Sequence, residues 1–179
     1  DPHRAAARHL LAQLREGLEP GELALTPPKP PLPPLAESTD YLSVRLHGGG
    51  FVRGKPAFFG GQIGIFGFRN GHFTTDLFYV SGFMPAENTG LLVHFGTALG
   101  GRIPLDAGER HELRFLGGAA LSLFGAGQAG FVSLALPLEA SYVYRLREHF
   151  GVQVGVQANL DVLALAGNAL LTGFVGVRF

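Results

Sequence analysis

The chain has 179 residues with 14 basic and 14 acidic side chains, so its formal net charge is +0 and no basic excess indicates a nucleic-acid partner. It is apolar for a small domain, with 46% hydrophobic and 16% charged residues, and its 27 glycines disfavour a mostly helical protein because glycine destabilises helix interiors. The absence of cysteine excludes disulfides and thiol chemistry.

The first 19 residues, DPHRAAARHLLAQLREGLE, predict a short helix, because alanines and leucines recur at roughly helical spacing with Pro2 near the start and Gly21 past the end. They lack the unbroken apolar core of a secretory signal, so an exported protein would be present here in its mature form. Residues 26–38 are rich in proline and predict an extended tether. We therefore interpret residues 1–40 as a helix and linker, either solvated or docked on a partner or on the rim of the following domain.

From Tyr41 onward, apolar residues alternate with small or polar residues, which indicates β-strands. In residues 150–161, FGVQVGVQANLD, apolar side chains occupy one face, while Gly, Gln, Asn and Asp occupy the other. The strands are about 11–15 residues long, which exceeds the usual soluble strand and suffices to cross a bilayer when tilted. Eight are predicted, over 41–52, 58–68, 72–83, 91–103, 112–124, 130–145, 149–160 and 169–179. Between the second and third, Asn70–Gly71 predicts a type I′ hairpin turn.

Two features favour a membrane barrel over a soluble sandwich of the same strands. The faces opposite the apolar ones are crowded with glycine, which suits a narrow closed interior and not a water-facing strand. These glycines are Gly60, Gly64, Gly82, Gly96, Gly100, Gly118, Gly155 and Gly176. Aromatic residues also cluster near strand ends, where membrane barrels carry interfacial girdles. They are Phe73, Phe83, Phe95, Phe131, Tyr142, Tyr144, Phe150 and Phe179.

A membrane-spanning helix over residues 115–138 is a weaker alternative, because five glycines, Gln128 and Pro137 would interrupt it. If strands cross the bilayer instead, no sheet edge can stay open, since hydrocarbon offers no hydrogen-bond partner, and the first strand must pair with the last. An even strand number returns both ends to one side. The sequence therefore predicts an all-β fold, an eight-stranded antiparallel up-and-down transmembrane β-barrel over residues 41–179.

The last strand alternates apolar residues and ends on an aromatic one, with Val175, Val177 and Phe179 on one face. In this it resembles the carboxy-terminal signature of small bacterial outer-membrane β-barrel proteins of the eight-stranded class. The resemblance implies a Gram-negative outer membrane, contact with its lipid, and insertion by the barrel-assembly machinery, which reads that strand. If both termini are periplasmic, residues 1–38 can reach a periplasmic or envelope protein partner.

An eight-stranded barrel has an interior that side chains can fill. Alternation directs ten polar residues inward, namely Arg45, His47, Gln62, Asp76, His94, Arg114, Glu139, Gln153, Gln157 and Asn159. Arg45, Asp76 and Glu139 come near a similar depth, and unpaired buried charge is costly, so we predict an interior network of ion pairs and hydrogen bonds. A plugged barrel favours a structural anchor or a component of an envelope assembly. The main alternative is a narrow pore for protons or small solutes.

A lipid-modifying enzyme is the remaining alternative, and it would need a nucleophile beside a histidine at the lipid-facing or outer rim. Ser81 and Thr97 are predicted to face lipid without a lipid-facing histidine on neighbouring strands, so we expect no catalytic residues. His72 and Asp76 share a face but lie roughly 13 Å apart along the strand, which is too far for one metal ion. No metal site and no cofactor are expected.

Overall fold

The computed structural model describes residues 38–53, 57–86, 90–126, 129–163 and 169–179. The predicted N-terminal helix and almost all of the predicted tether lie outside the described residues. The described residues form β1 (Ser38–Phe51), β2 (Ala57–Asn70), β3 (Phe73–Pro85), β4 (Leu91–Pro104), β5 (His111–Ala126), β6 (Ala129–Arg147), β7 (Phe150–Asp161) and β8 (Ala169–Arg178). Each strand begins and ends within three residues of its predicted bounds, which confirms the eight-strand prediction.

Each strand pairs antiparallel with its sequence neighbours, and β1 pairs with β8, so the sheet closes into an up-and-down barrel. At this seam, Phe179 and Leu42 exchange two backbone hydrogen bonds of 2.8 and 3.2 Å. No helix among the described residues is long and apolar enough to cross a membrane. The region proposed as an alternative spanning helix lies in β5 and β6 instead.

The outer face of the barrel is apolar and uncovered. Leu46 is 67% exposed, and Val154 and Val156 are 50% and 52% exposed. Arg45 and Arg114, by contrast, are each 1% exposed and lie inside the barrel. This reverses the usual distribution of a soluble protein, in which charged side chains are rarely fully buried. The soluble-sandwich alternative is therefore wrong, because its apolar faces would be buried between two layers.

Strands β1 to β3 break their alternation at one common level. In β1, Tyr41 and Leu42 both face outward, and in β2 Ile65 and Phe66 do so. Phe66 adopts a φ of 58°, which a bulky residue rarely does. The register of β3 against β4 shifts between Asp76 and Tyr79. A bulge of this kind inserts an extra residue and reverses which residues face inward beyond it.

The bulge in β3 overturns three predictions. Ser81 is fully buried in the interior, although simple alternation placed it against lipid. Phe83 is also fully buried, so it belongs to the barrel core and not to an interfacial aromatic girdle. Gly82, which lies between them, consequently faces outward.

The hairpin turn between β2 and β3 also differs from its prediction. Asn70 is still paired with Phe73, which leaves Gly71 and His72 as the two central residues. Gly71 has a φ of 55°, and His72 is not among the described residues with positive φ. A type I′ turn needs positive φ at both central positions, so this turn has the pattern of type II′, with glycine first.

Candidate functional site

The interior of the barrel is the candidate site, and it has two chemically different halves. We call the end that carries the turns Gly71–His72, Leu105–Arg110 and Glu148–His149 the turn end, and the opposite end the loop end. Near the turn end the interior holds the charged cluster, Arg45, Arg69, Arg102, Arg114, Arg145, Arg178, Asp40, Asp76, Glu112 and Glu139, all buried. Near the loop end it holds the apolar cluster, Phe58, Phe83, Leu92 and Leu170, with Phe51 and Phe124 packed against it.

Asp76 accepts hydrogen bonds from three arginines of the charged cluster. Its carboxylate accepts hydrogen bonds from Arg45 at 2.5 Å, Arg178 at 2.7 Å and Arg114 at 3.3 Å. The other terminal nitrogen of Arg45 donates to Glu139 at 2.6 Å, and the second oxygen of Glu139 accepts from Ser141 at 2.7 Å. The structure therefore brings Arg45, Asp76, Arg114 and Glu139 into one network.

Arg178 connects this network to Asp40. Its Nε donates to Asp40 at 2.8 Å, while its Nη2 donates to Asp76. Arg145 binds both oxygens of Asp40, at 3.0 and 3.1 Å, in the bidentate geometry that makes guanidinium–carboxylate pairs strong. These contacts tie β1, β3, β6 and β8 together across the barrel.

Glu112 completes the charged cluster at the turn end, and the partly buried Glu109 lies beside it. Glu112 lies 3.1 Å from Arg102, 3.4 Å from Arg145 and 3.6 Å from Arg69. Glu109, on the turn between β4 and β5, reaches over the opening to Arg102 at 2.8 Å. The six buried arginines thus each have a carboxylate within ion-pair distance. Such pairing is needed because an uncompensated buried charge is strongly destabilising.

The other predicted interior residues are all buried, but they occupy a less charged zone. Gln153 accepts from Arg178 at 3.4 Å, and the amide nitrogen of Gln157 donates to Asn159 at 3.0 Å. The ring of His94 packs on Phe83 with centroids 5.5 Å apart. His94 also pairs across the sheet with Ser81 and Ser122, so the structure places it apart from the charged cluster.

His47 lies next to the apolar cluster, because its ring meets the ring of Phe83 edge-on with centroids 5.5 Å apart. Its Nδ1 is 3.1 Å from the hydroxyl oxygen of Thr172, so a hydrogen bond joins the two side chains. The same hydroxyl lies 3.4 Å from the carbonyl oxygen of Gln157. The ring stacks on Phe174 with centroids 5.1 Å apart, which fixes its orientation.

Small residues make room for these large interior side chains. A Cβ on Gly176 would lie 2.4 Å from the carbonyl oxygen of Val44 and 2.9 Å from Cγ of Arg45. A Cβ on Gly96 would lie 2.6 Å from the hydroxyl of Tyr79. All three distances are shorter than real Cβ contacts, so glycine is required where Arg45 and Tyr79 cross the interior.

Beside Asp76 and Glu139 of the charged cluster lies a cavity of about 10 Å³, measured as the space open to the centre of a water molecule. That volume holds about one water molecule. It is lined by Gln62, Asp76, Tyr79, Ala98, Leu116, Pro137, Glu139 and Gln157. The space is too small for a file of hydrated ions.

Most of the charged cluster was not among the sequence-predicted interior residues. Those missed are Asp40, Arg69, Arg102, Glu112, Arg145 and Arg178. The parity of Arg114 extends to Glu112 on the same strand, and Arg178 alternates with the outward Val177. For Glu112 and Arg178, extending the alternation along the strand would therefore have predicted an inward side chain.

The described residues contain no group of three or more His, Asp or Glu side chains arranged to hold a metal ion. Nδ1 of His72 lies 3.3 Å from the carbonyl oxygen of Arg102. On the outer face, Nδ1 of His111 lies 2.5 Å from the hydroxyl of Tyr142, near the turn end. His111 therefore has a hydrogen-bond partner at this edge of the apolar surface.

The three residues of the predicted assembly signal lie on the outer face of the seam. Val175 is 57% exposed, Phe179 is 44% exposed, and Val177 is half-buried. The ring of Phe179 packs against Phe150 of β7 with centroids 5.4 Å apart. Their role in assembly stays a prediction.

No protein-family model matches the chain, and no curated protein sequence matches it either. Among solved structures it is similar to Neisserial surface protein A, with 13% identity, a TM-score of 0.61, and coverage of 79% of this chain and 98% of that chain. It is also similar to Ail, the attachment invasion locus protein of Yersinia pestis (12% identity, TM-score 0.52, coverage 79% and 97%). The N-terminal β-barrel domain of Pseudomonas aeruginosa OprF gives 14% identity, a TM-score of 0.52, and coverage of 79% and 100%.

These comparisons confirm the resemblance to small eight-stranded outer-membrane β-barrels at the level of the fold. The covered share of this chain, 79%, equals the share of its length that residues 38–179 occupy. At identities of 12–14%, the likeness concerns the fold alone.

Proposed function

We propose that the chain is an integral β-barrel protein of the bacterial outer membrane that serves as a structural anchor or as a component of an envelope protein assembly. The observation that carries the proposal is the inverted polarity of the barrel. Apolar side chains such as Leu46, Leu138 and Val154 face outward, while arginines and carboxylates fill the inside. Water would not tolerate so large an apolar surface, whereas bilayer hydrocarbon matches it.

The membrane location can be tested by expressing the chain in a Gram-negative host and separating soluble, inner-membrane and outer-membrane fractions. We expect it in the outer-membrane fraction, with a gel mobility that changes on heating because folded barrels resist detergent. Recovery of folded protein in the soluble fraction without detergent would refute the proposal.

The proposed barrel is sealed and does not conduct. Three features support this: the charged cluster at the turn end, the apolar cluster at the loop end, and a cavity beside the charged cluster that has room for only about one water molecule. Purified protein in planar bilayers should give no stable conductance steps. Reproducible single-channel steps would favour the narrow-pore alternative instead.

We further propose that residues 1–38 reach a periplasmic or envelope partner. Ser38 is the first residue of β1, so a variant lacking residues 1–37 keeps all eight strands. The full chain and this variant are purified in parallel from the same membranes, and co-purifying proteins are identified. Loss of a partner only from the shortened chain supports the proposal, and retention of every partner removes its basis.

The assembly role of Val175, Val177 and Phe179 is tested by Phe179→Ser. We expect less folded barrel in the outer membrane and more unfolded chain in the periplasm. Tyr41→Ser is a matched control, because Tyr41 is 63% exposed on the outer face of β1. Equal folded yields for the two variants would contradict the assembly role.

An unchanged mass of the host's lipid A on expression would agree with a non-enzymatic barrel.

A further inference from the structure

The small cavity inside the barrel lies where the charged cluster meets apolar side chains around Tyr79. Asp76 and Glu139 line it together with Ala98 and Leu116, which lie directly beside them on the neighbouring strands. Ala98 and Leu116 belong to a buried apolar group that includes Tyr79. The cavity is therefore lined by both polar and apolar side chains and is about the size of a water molecule.

Three side chains that line the cavity each bury a polar atom with no partner in the protein. These atoms are the hydroxyl oxygen of Tyr79 and the amide oxygens of Gln62 and Gln157. The three side chains are only 3%, 3% and 2% exposed, so bulk water does not reach them. Burying such atoms without a hydrogen bond is costly, and in native proteins nearly all of them have a partner.

One of these atoms belongs to an amide whose nitrogen is already bound. The amide nitrogen of Gln157 donates to Asn159 at 3.0 Å, so its oxygen is the atom left without a partner. A water molecule donates two hydrogen bonds and accepts two. It can donate to the two amide oxygens and accept from the hydroxyl of Tyr79, which satisfies all three groups at once.

The surrounding charges favour a neutral ligand over a cation. Asp76 and Glu139 are already bound by Arg45, at 2.5 and 2.6 Å. Arg114 and Arg178 also contact Asp76. A metal cation would have to compete with three guanidinium groups for these carboxylates, and like charges repel strongly inside a protein.

We propose that the barrel interior binds one ordered water molecule in this cavity, held by Tyr79, Gln62 and Gln157. The water completes the hydrogen bonding at the boundary between the charged cluster and the apolar side chains. Because the cavity holds only one molecule, the site closes the interior and does not extend into a conducting file. The site requires the folded barrel and does not depend on any partner.

The test is a crystal structure of the purified full chain in detergent, at a resolution that shows ordered water, once in sodium chloride and once in rubidium chloride. We expect one density peak about 2.7–3.2 Å from all three oxygens in both salts. An anomalous rubidium signal at the peak would overturn the proposal in favour of a cation. The absence of any peak in the wild-type cavity would overturn it outright.

Tyr79→Phe removes one partner of the water and keeps the aromatic ring. Tyr144→Phe is the control, because Tyr144 lies on the outer face and stacks on His111. We expect the peak to weaken or vanish, and the urea midpoint to fall, only in Tyr79→Phe. Full retention of both the peak and the midpoint in Tyr79→Phe would contradict the assigned role of Tyr79. The wild-type crystal decides the question even if this variant does not fold.

Discussion

Replacing Arg45 with methionine is a direct test of the charged cluster. Arg45 is 1% exposed and bridges Asp76 and Glu139. In Arg45→Met, Asp76 keeps its contacts with Arg114 and Arg178, whereas Glu139 keeps the hydroxyl of Ser141. The substitution therefore leaves the buried carboxylate of Glu139 without the arginine that pairs with it at 2.6 Å.

The expected cost follows from that stranded carboxylate. Removing one partner of a buried ion pair typically costs about 3–5 kcal/mol. Because Asp76 stays paired and methionine fills much of the volume of the arginine stem, we expect about 3 kcal/mol. This corresponds to roughly a hundredfold change in the unfolding equilibrium.

The assay is urea unfolding of the barrel refolded into lipid vesicles, followed by circular dichroism, since the chain contains no tryptophan. Leu46→Met is the matched control, because Leu46 is the next residue on β1 and is 67% exposed on the outer face. That control should stay within about 0.5 kcal/mol of the wild type.

A second substitution isolates the cause. Adding Glu139→Gln to Arg45→Met removes the unpaired charge. The double variant should therefore be more stable than the sum of the two single changes in the free energy of unfolding predicts. The expected difference is about 1 kcal/mol or more, within the range of about 0.5–3 kcal/mol that is usual for contacting residues. If Arg45→Met matches Leu46→Met, or if Glu139→Gln brings no such recovery, the charged cluster does not stabilise the barrel as argued here.

Three further substitutions examine the outer face, the close contacts and the apolar cluster. Val154 is 50% exposed on the outer face, and Val154→Lys should lower the free energy of unfolding in lipid vesicles by about 2–4 kcal/mol, measured by urea titration. A negligible loss would contradict contact between this position and lipid. Gly176→Ala should lower the yield of folded barrel on gels, whereas Gly48→Ala should not, because a Cβ on Gly48 meets nothing within 4 Å. Phe83→Ala should lower the free energy of unfolding, measured by urea titration, by about 3–5 kcal/mol, and a smaller loss would indicate a loosely packed apolar cluster.

The sequence predicted the strands well wherever alternation is unbroken. In β7 the valines at 152, 154 and 156 all face outward, as the printed pattern requires. In β3 the same reasoning fails, because the bulge after Asp76 reverses the inward positions and nothing in FTTDLFYVSGFMP announces it. The left-handed residue of β2 is a phenylalanine, where a glycine would have been the usual signal.

The interior network could be placed only in part. The positions of the turns set the strand register, so Arg45, Asp76 and Glu139 could be assigned to one depth from the sequence. Which carboxylate each arginine meets depends on the rotamers of long side chains, and alternation carries no information about those. Arg69 could not be assigned inward at all, because the irregularity at Phe66 lies between it and Gln62.

The irregular level of β1 to β3 explains why these charges can be inside. Counting back from the inward residues nearer the loop end, strict alternation would turn Asp40, Arg69 and Asp76 toward lipid, where a charge is expensive. The break in alternation in each of the three strands reverses this, and all three side chains are buried in the barrel.

Gly67 provides the space that this arrangement needs, because a Cβ there would lie 2.5 Å from Nη2 of Arg178 and 3.3 Å from Oδ1 of Asp76. Backbone strain such as that at Phe66 costs on the order of 1–3 kcal/mol. The same irregular level brings Asp40 and Asp76 into contact with Arg178 inside the barrel. The strained backbone and the charged cluster are therefore two parts of one arrangement, because the irregular level turns these carboxylates inward.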